Sequence, residues 1–480
     1  MGMQWRRWKS APLLFSFHVK KKSMAREVVL IFDIGKTNKK ILLFDRELGI
    51  LREQETVFDE TRDDDGFACD DMDRLEQWVL ETCNTYMNDA QYNVRGVNFA
   101  TYGATLVYLD AGGERLTPVY NYLKPMPEGV VEPVYKDYGG KQEFCRKTAS
   151  PALGMLNSGF QALWLKEKKP EVFSNVKTIL HFPQYLSFML TGKTTSEHTS
   201  IGCHTALWDF DQMTYHPWTR RLGNTLPEPV PVSTVHPSAS TGSSIPVGIG
   251  IHDSSASLVP YFMHSDEAFV LVSTGTWCIS MNPFNHAPLT AGQLEQDCLS
   301  YMSIQQQPVK SSRLFLGHIH DENVKYLSEA FQVDPVAYKQ IEPEDGLLRR
   351  VRERTKTRRV FFSEGVPSDY TDRTVDLSMF DDFTEAYHQL VADLADLTAH
   401  AIGLVLEGKE KDRTKNLYIT GGFSKNPIFV KLMAGHFPHK KVYTSEIANA
   451  TSLGAALVIW NAVDPAFSAA IDLGLKQCEP

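Results

Sequence analysis

Asp253 lies in the run Gly250-Ile251-His252-Asp253-Ser254-Ser255-Ala256-Ser257, a carboxylate beside an imidazole and followed by small residues. A positioned carboxylate can take the proton of an alcohol hydroxyl while that oxygen attacks a phosphorus. The small residues suit a tight helix N-terminus, whose dipole favours an anion and would keep Asp253 ionised. An Asp opening a helix is equally an ordinary cap with no catalytic part. His252 can hydrogen-bond a substrate or orient the carboxylate.

Three glycine-bearing segments accompany this run. In Asp33-Ile34-Gly35-Lys36-Thr37-Asn38-Lys39-Lys40, Gly35 allows backbone N–H groups close to a phosphate, and Lys36, Thr37, Asn38, Lys39 and Lys40 add donors. Asp33 suits Mg²⁺, which takes a carboxylate or two and completes its shell with waters and phosphate oxygens. Ser273-Thr274-Gly275-Thr276-Trp277 repeats the same logic with hydroxyls and one glycine. Thr420-Gly421-Gly422-Phe423-Ser424-Lys425-Asn426-Pro427 joins a strand to a helix, a common seat for a nucleotide, and its paired glycines permit close backbone approach. No GxxxxGK[ST] loop occurs in the chain. Each segment alone also reads as a plain turn.

The flanking patterns supply the elements that must hold these residues. Val28–Phe32 and 40–44 are apolar runs around a polar turn, which predicts a buried hairpin, and Phe269–Ile279 repeats that arrangement. Strands are expected over 97–99, 106–109 and 417–420, and helices over 160–169, 183–190 and 382–406. Pro427 sits where a helix can start. Residues 227–247, rich in Pro, Ser, Gly and Thr, read as a surface stretch leading to a junction with Gly248 and Gly250 as hinge points. The small-residue segment 450–460 is expected to pack against the Gly421-Gly422 loop.

At 480 residues the chain exceeds one core, and two domains of roughly 200 to 250 residues are the natural division. A net charge of -9 excludes a general nucleic-acid binder, which needs a basic surface, but not a nucleotide held by local donors. The seven cysteines are odd in number and none has CxxC spacing, which points to reduced thiols and a cytoplasmic location. Residues 1 to 23 carry six basic residues around an apolar run too short to span a bilayer, and read as a disordered N-terminal extension, with a targeting segment as the alternative.

The order DxGxTxxK, a Tyr-Gly strand, LWLKExxPE, GxHDxxAS, STGTW and GGFSxNP resembles the FGGY carbohydrate kinases over residues 27 to 460. The resemblance implies an α/β fold of two ribonuclease-H-like domains, of the actin-like ATPase type, around a central cleft. It sets an N-terminal domain over 24–247 and a C-terminal domain over 248–480. Gln161 and the two segments at 250–257 and 273–277 are most similar to the L-rhamnulokinase and L-fuculokinase branch.

By that resemblance Asp253 is the general base and Asp33 approaches the metal. Gly35, Lys36, Thr37, Asn38, Lys39, Lys40, Thr274, Gly275 and Thr276 hold the phosphates of ATP, and Gly421, Gly422 and Asn426 line the adenosine site. Tyr102, Gly103, Asn121 and His252 join Asp253 around the sugar. The implied activity is transfer of the ATP γ-phosphate, with Mg²⁺, to a primary hydroxyl of a ketose, in particular a 6-deoxy-ketose such as L-rhamnulose or L-fuculose. The alternatives are a xylulose- or ribulose-type kinase and a non-catalytic nucleotide sensor on the same fold. The expected partner is a small sugar, with no nucleic acid or membrane, and a homodimer is the candidate assembly. Three positions depart from the family pattern: Lys36 and Lys39 stand where small or hydroxyl residues are usual, and Tyr102 where rhamnulokinases have Trp.

Overall fold

The computed structural model describes residues 25–239, 244–408 and 410–479, and the extension expected over residues 1–23 lies outside them. Two seven-stranded sheets organise the chain. The first holds β1 (Arg26–Ile34), β2 (Asn38–Asp45), β3 (Ile50–Val57), β4 (Tyr92–Thr101), β5 (Val235–Pro237), β6 (Pro246–Gly248) and β7 (Ile251–His252). Their order is β5-β6-β4-β1-β2-β3, with β7 also paired to β4. The second holds β8 (Phe269–Thr274), β9 (Cys278–Asn282), β10 (Cys298–Met302), β11 (Pro308–Leu314), β12 (Asn416–Gly421), β13 (Lys441–Thr444) and β14 (Lys476–Cys478), in the order β10-β11-β9-β8-β12-β13-β14.

The same unit has been used twice. β1 pairs antiparallel with β2 and parallel with β4, and β8 pairs antiparallel with β9 and parallel with β12. The near-continuous apolar runs of β1 and β8 follow from burial on both faces, as central strands covered by helices require. Both expected hairpins are present, and the register sets Asp33 opposite Lys40 and Ile34 opposite Lys39.

Seven helices matter for the site: α1 (Met72–Met87), α2 (Phe182–Thr191), α3 (Asp253–His264), α4 (Leu316–Phe331), α5 (Phe383–Val405), α6 (Pro427–His436) and α7 (Ala450–Val463). Asp71 caps α1 and Asp382 caps α5, each accepting a backbone N–H of the first turn. Gly192 ends α2 in the left-handed region, and α6 starts with Asn426 as cap and Pro427 in its first turn.

Three expectations are corrected. The boundary placed after residue 247 falls inside the first sheet, because Ile251 and His252 pair with Ala100 and Thr101 of β4, so Asp253 starts the helix that leaves that sheet. Gly248 and Gly250 are packed rather than hinge-like: a Cβ at Gly248 would lie 2.4 Å from Asn98 Oδ1, and one at Gly250 would lie 2.6 Å from Pro183. Segment 450–460 forms α7, which packs on α3, β4 and β1 rather than on the Gly421-Gly422 loop. All seven cysteines are free. Among the described residues no helix is long and apolar enough to cross a membrane.

The contact between α3 and α7 leaves no room for a side chain. A Cβ on Gly454 would stand 1.9 Å from the carbonyl oxygen of Ala256, a backbone atom that cannot step aside. Gly454→Ala is therefore expected to lower the unfolding free energy by about 1–3 kcal/mol through overpacking. The urea midpoint measures this, and an unshifted midpoint would show that the two helices separate at no cost.

Candidate active site

Two carboxylates come from different elements of the first half. Asp33 ends β1, and Asp253 opens α3 directly after β7. Asp33 Oδ2 accepts the Ser452 hydroxyl of α7 at 2.5 Å. Burial pushes the Asp33 carboxyl up to about 6, helped by the Asp253 charge and opposed by Ser452 and Lys40. Burial likewise pushes Asp253 up to about 6, against hydrogen bonds from the Ser254 backbone and hydroxyl. The helix start favours the anion, but desolvation outweighs the local donors, so the net shift is upward. About a third of the Asp253 side chain stays exposed (35%), so the carboxylate can be reached.

His252 caps α3 and is buried. Burial pushes its pKa down to about 3, so the ring is neutral and carries one proton. Nε2 lies 3.2 Å from Asp253 Oδ1 and 2.9 Å from Cys203 Sγ, while Nδ1 has no partner among the described residues. The hydrogen bond of Nε2 is with Cys203, and Asp253 stands beside the same nitrogen without meeting hydrogen-bond geometry. His252 is thus a close neighbour of the carboxylate, and the Ser254 N–H fixes it, donating to Asp253 Oδ1 at 2.5 Å. Gly103 is glycine because a Cβ there would lie 2.8 Å from Cys203 Sγ and 3.1 Å from His252 Nε2.

The first hairpin presents its donors differently from the expectation. Thr37 and Asn38 are exposed at the tip, and the Gly35 N–H closes the turn onto the Asn38 carbonyl at 2.9 Å. Lys36 Nζ lies 2.8 Å from Asp70 Oδ2 and 3.1 Å from Glu60. Lys39, almost wholly buried, donates to the Lys36 carbonyl at 2.8 Å and approaches Asp70 Oδ1 at 3.4 Å. Lys40 leaves on the other face, toward Glu53, Glu55 and Asn449 Oδ1. All three ammonium groups are answered by protein oxygens. Tyr102 donates to Asp70 Oδ2 at 2.7 Å. Asn121 uses both ends locally, donating to the Ala68 carbonyl and accepting the Leu123 N–H.

In the second half, Gly275 and Thr276 are exposed at the turn between β8 and β9. Thr274 is buried, donates to the Thr420 carbonyl at 2.5 Å and accepts the Phe423 N–H at 3.0 Å, so its hydroxyl pins the neighbouring loop rather than facing a ligand. Gly421 has φ +87°, and a Cβ there would lie 1.7 Å from the Thr274 carbonyl oxygen. Gly422 has open space where its Cβ would be. Beside it lies a cavity of about 480 Å³ lined by Gly275, Thr276, Gly422 and Asn426 with Gly317, His320, Tyr338 and Tyr387. Asn426 Nδ2 donates to Tyr387 while its Oδ1 caps α6. The volume and the mix of aromatic rings with a few polar groups suit a nucleoside.

Sequence reasoning missed Asp70, Cys203, Ser452, Gly317, Tyr338 and Tyr387. None belongs to a motif of its own, and each is recruited by tertiary packing. Only Gly317 carried a local signal, a glycine where α4 begins; a Cβ there would meet the Gly275 carbonyl at 2.4 Å.

Two copies of one sheet unit, each followed by a helix that enters the other half, with a carboxylate and a glycine-rich loop between them, define the two-domain actin-like α/β fold. Residues 28–259 match the N-terminal domain of the FGGY family of carbohydrate kinases. A rhamnulokinase of Oceanobacillus iheyensis is 24% identical over 272 residues, 54% of this chain and 57% of that protein. An L-fuculokinase of Salmonella typhi is 24% identical over 292 residues, 58% of this chain and 59% of that protein. The chain thus spans a little over half the length of these curated relatives. The crystal structure of a carbohydrate kinase from Novosphingobium aromaticivorans superposes with a TM-score of 0.77 at 25% identity, covering 95% of each chain. The chain is thus similar to FGGY carbohydrate kinases, and residues 28–259 carry that family's N-terminal domain.

Gly421→Ala forces both a side chain into a left-handed backbone and a contact with Thr274 that only a backbone shift relieves. Because the loop lines the cavity beside Gly422, the substitution is expected to weaken binding of a nucleotide there by about tenfold or more. Calorimetric titration with ATP measures this, and unchanged affinity would separate this loop from the nucleotide.

Proposed function

We propose that the protein is an ATP-dependent kinase that transfers the γ-phosphate to a primary hydroxyl of a ketose, in particular a 6-deoxy-ketose. The observation that carries this reading is Asp253: a reachable carboxylate, held by the Ser254 N–H and 3.2 Å from His252 Nε2, with a pKa raised to about 6. Such a group is ionised at neutral pH yet basic enough to accept a proton as an alcohol attacks. The adenosine moiety is assigned to the cavity beside Gly422, and the phosphates run toward the exposed turns at Gly275-Thr276 and Thr37-Asn38. The sugar lies against Asp253, Gly103 and Tyr102. The preference for a 6-deoxy-ketose is supported by the curated relatives, named rhamnulokinase and L-fuculokinase.

Asp33 fits a hard cation. Its carboxylate is held by one hydroxyl, lies within reach of the Asp253 charge, and has Lys40 as the cation acting on it. Mg²⁺ bound there supplies positive charge to the phosphate oxygens. The chain's own part is to hold Asp33 through Ser452, to orient Asp253, and to receive the hydroxyl proton on Asp253 as the oxygen–phosphorus bond forms. Water is the competing acceptor, and its exclusion depends on the sugar filling the space at Asp253.

Asp253→Asn should lower turnover by about a thousandfold or more, with ATP affinity within about threefold of wild type. Coupled ADP release over a panel of ketoses measures the first, and retained turnover would remove Asp253 from the base role. Below pH values near 6 the raised carboxyl takes up a proton and cannot accept another, so kcat/KM should fall on an acid limb near 6 rather than near the ordinary 3.8. Because Asp33 titrates close by, that limb belongs to the pair. A profile flat down to about pH 5 would contradict the assignment.

A further inference from the structure

The four residues Lys36, Lys39, Asp70 and Tyr102 come from the β1–β2 turn, the start of β2, the segment before α1, and the position just after β4. They are not a decorated rim: Lys39 is 3% exposed, Tyr102 9%, and the Asp70 side chain 11%. Desolvating such charges costs several kcal/mol per ion unless partners satisfy them, so the cluster requires a function or a tight network.

The bonds fall into two kinds. Lys39 holds the turn, donating to the Lys36 carbonyl at 2.8 Å and toward the Thr37 carbonyl at 3.4 Å. Lys36 and Asp70 are left incompletely used. Lys36 Nζ, 20% exposed along its side chain, meets Asp70 Oδ2 and Glu60, which occupies two of its three protons among the described residues. Asp70 Oδ2 takes both Lys36 and Tyr102, while Oδ1 has only the 3.4 Å approach of Lys39. A spare donor beside a spare acceptor is the complement of a hydroxyl, which both accepts and donates. Tyr102, which donates to Asp70, directly follows Thr101, whose strand partner is His252 beside the base, and a Cβ on the next residue, Gly103, would lie 3.1 Å from His252 Nε2. The pair and the base therefore adjoin at the end of β4.

We propose that Asp70 and Lys36 are specificity-determining residues that read one hydroxyl of the sugar other than the one phosphorylated. The substrate class this selects is a neutral polyhydroxy ketose and not a sugar acid. Both ammonium groups already face carboxylate, so an acidic sugar would meet Asp70 and Glu60 without an unpaired cation in the cluster. This assignment rests on the kinase reading above, and it takes Lys36 away from the phosphates.

The test is steady-state kinetics of wild type, Asp70→Asn and Lys36→Met with the best ketose of a panel, with its mono-deoxy analogues, and with the matching aldonate. Sites built to bind a hydroxyl discriminate steeply against its loss, so Asp70→Asn should raise the sugar KM by about a hundredfold, with ATP KM within about threefold. Wild type should reject one mono-deoxy analogue that Asp70→Asn no longer distinguishes from the parent sugar. Lys36→Met should move the sugar KM in the same direction, and thermal melting of both variants identifies any that misfold; a folded Lys36→Met then carries the test. A rise in ATP KM with sugar KM unchanged overturns the assignment and returns Lys36 to the phosphates, with the kinase reading intact. Preferential use of the aldonate also overturns it. No turnover by wild type with any sugar overturns the kinase reading and this assignment with it.

Discussion

The geometry of the site depends on the crossing of α3 and α7. α3 leaves the first sheet, yet Leu258 and Tyr261 pack with Phe269, Leu271 and Tyr418 of the second. α7 follows the second sheet, yet Leu453, Ala455, Ala456 and Ile459 pack with Val29, Ile31, Leu42 and Ala100 of the first. Each half therefore lends a helix to the other. The exchange is possible only because Gly454 lets the two backbones touch, and because Gly96 leaves space for Ile459. Asn98 ties the arrangement down by donating to the Ala455 carbonyl at 3.0 Å in the buried junction. An unpaired amide there would cost more than the bond contributes, which makes the junction specific as well as tight.

This crossing also sets the chemistry. It brings Ser452, from near the end of the chain, onto Asp33, from near its start, and it fixes the first turn of α3 that carries Asp253. The three cleft carboxylates then divide by environment. Asp70 is buried, but hydrogen bonds from Lys36 and Tyr102 and the charges of Lys36 and Lys39 hold its carboxyl below the usual range. Asp33 and Asp253 are buried with weaker compensation and are raised. A lowered carboxyl is a permanent anion and acceptor, suited to holding a hydroxyl. A raised one can take a proton in turnover. Burial alone does not separate these roles, since all three are desolvated; the cations do.

Much of the fold was legible from the chain. The apolar runs around Asp33 and Ser273-Thr274 gave both hairpins, and the starts of the helices at Asp382 and Pro427 could be placed, because those signals are local. The junction was misread for a physical reason. Gly248 and Gly250 resemble hinge residues in composition, whereas they are glycine because Asn98 and Pro183 occupy the space a side chain would need, and neither neighbour is visible from nearby sequence. The site split the same way. Asp253, Gly421 and Gly422 could be singled out by type and spacing, while Asp70, Cys203 and Ser452 enter through contacts 31 to 419 residues away in the chain.

The three lysines of the first turn show how a strand's two-residue period decides function. Lys39 and Lys40 are adjacent in β2 and pair with Ile34 and Asp33, so their side chains point to opposite faces of the sheet. Lys40 falls on the face of Asp33, where α7 lies, and reaches Asn449 at the start of that helix. Lys39 falls on the face of Ile34, toward Tyr102 and Asp70. Lys36, in the turn, follows Lys39 because Lys39 holds the Lys36 carbonyl. A composition of three positive charges near a phosphate-type turn thus reads as one anion site, whereas the pleat distributes it between two. One lysine bears on the acid that would hold the metal, and two bear on the wall built by Asp70 and Tyr102.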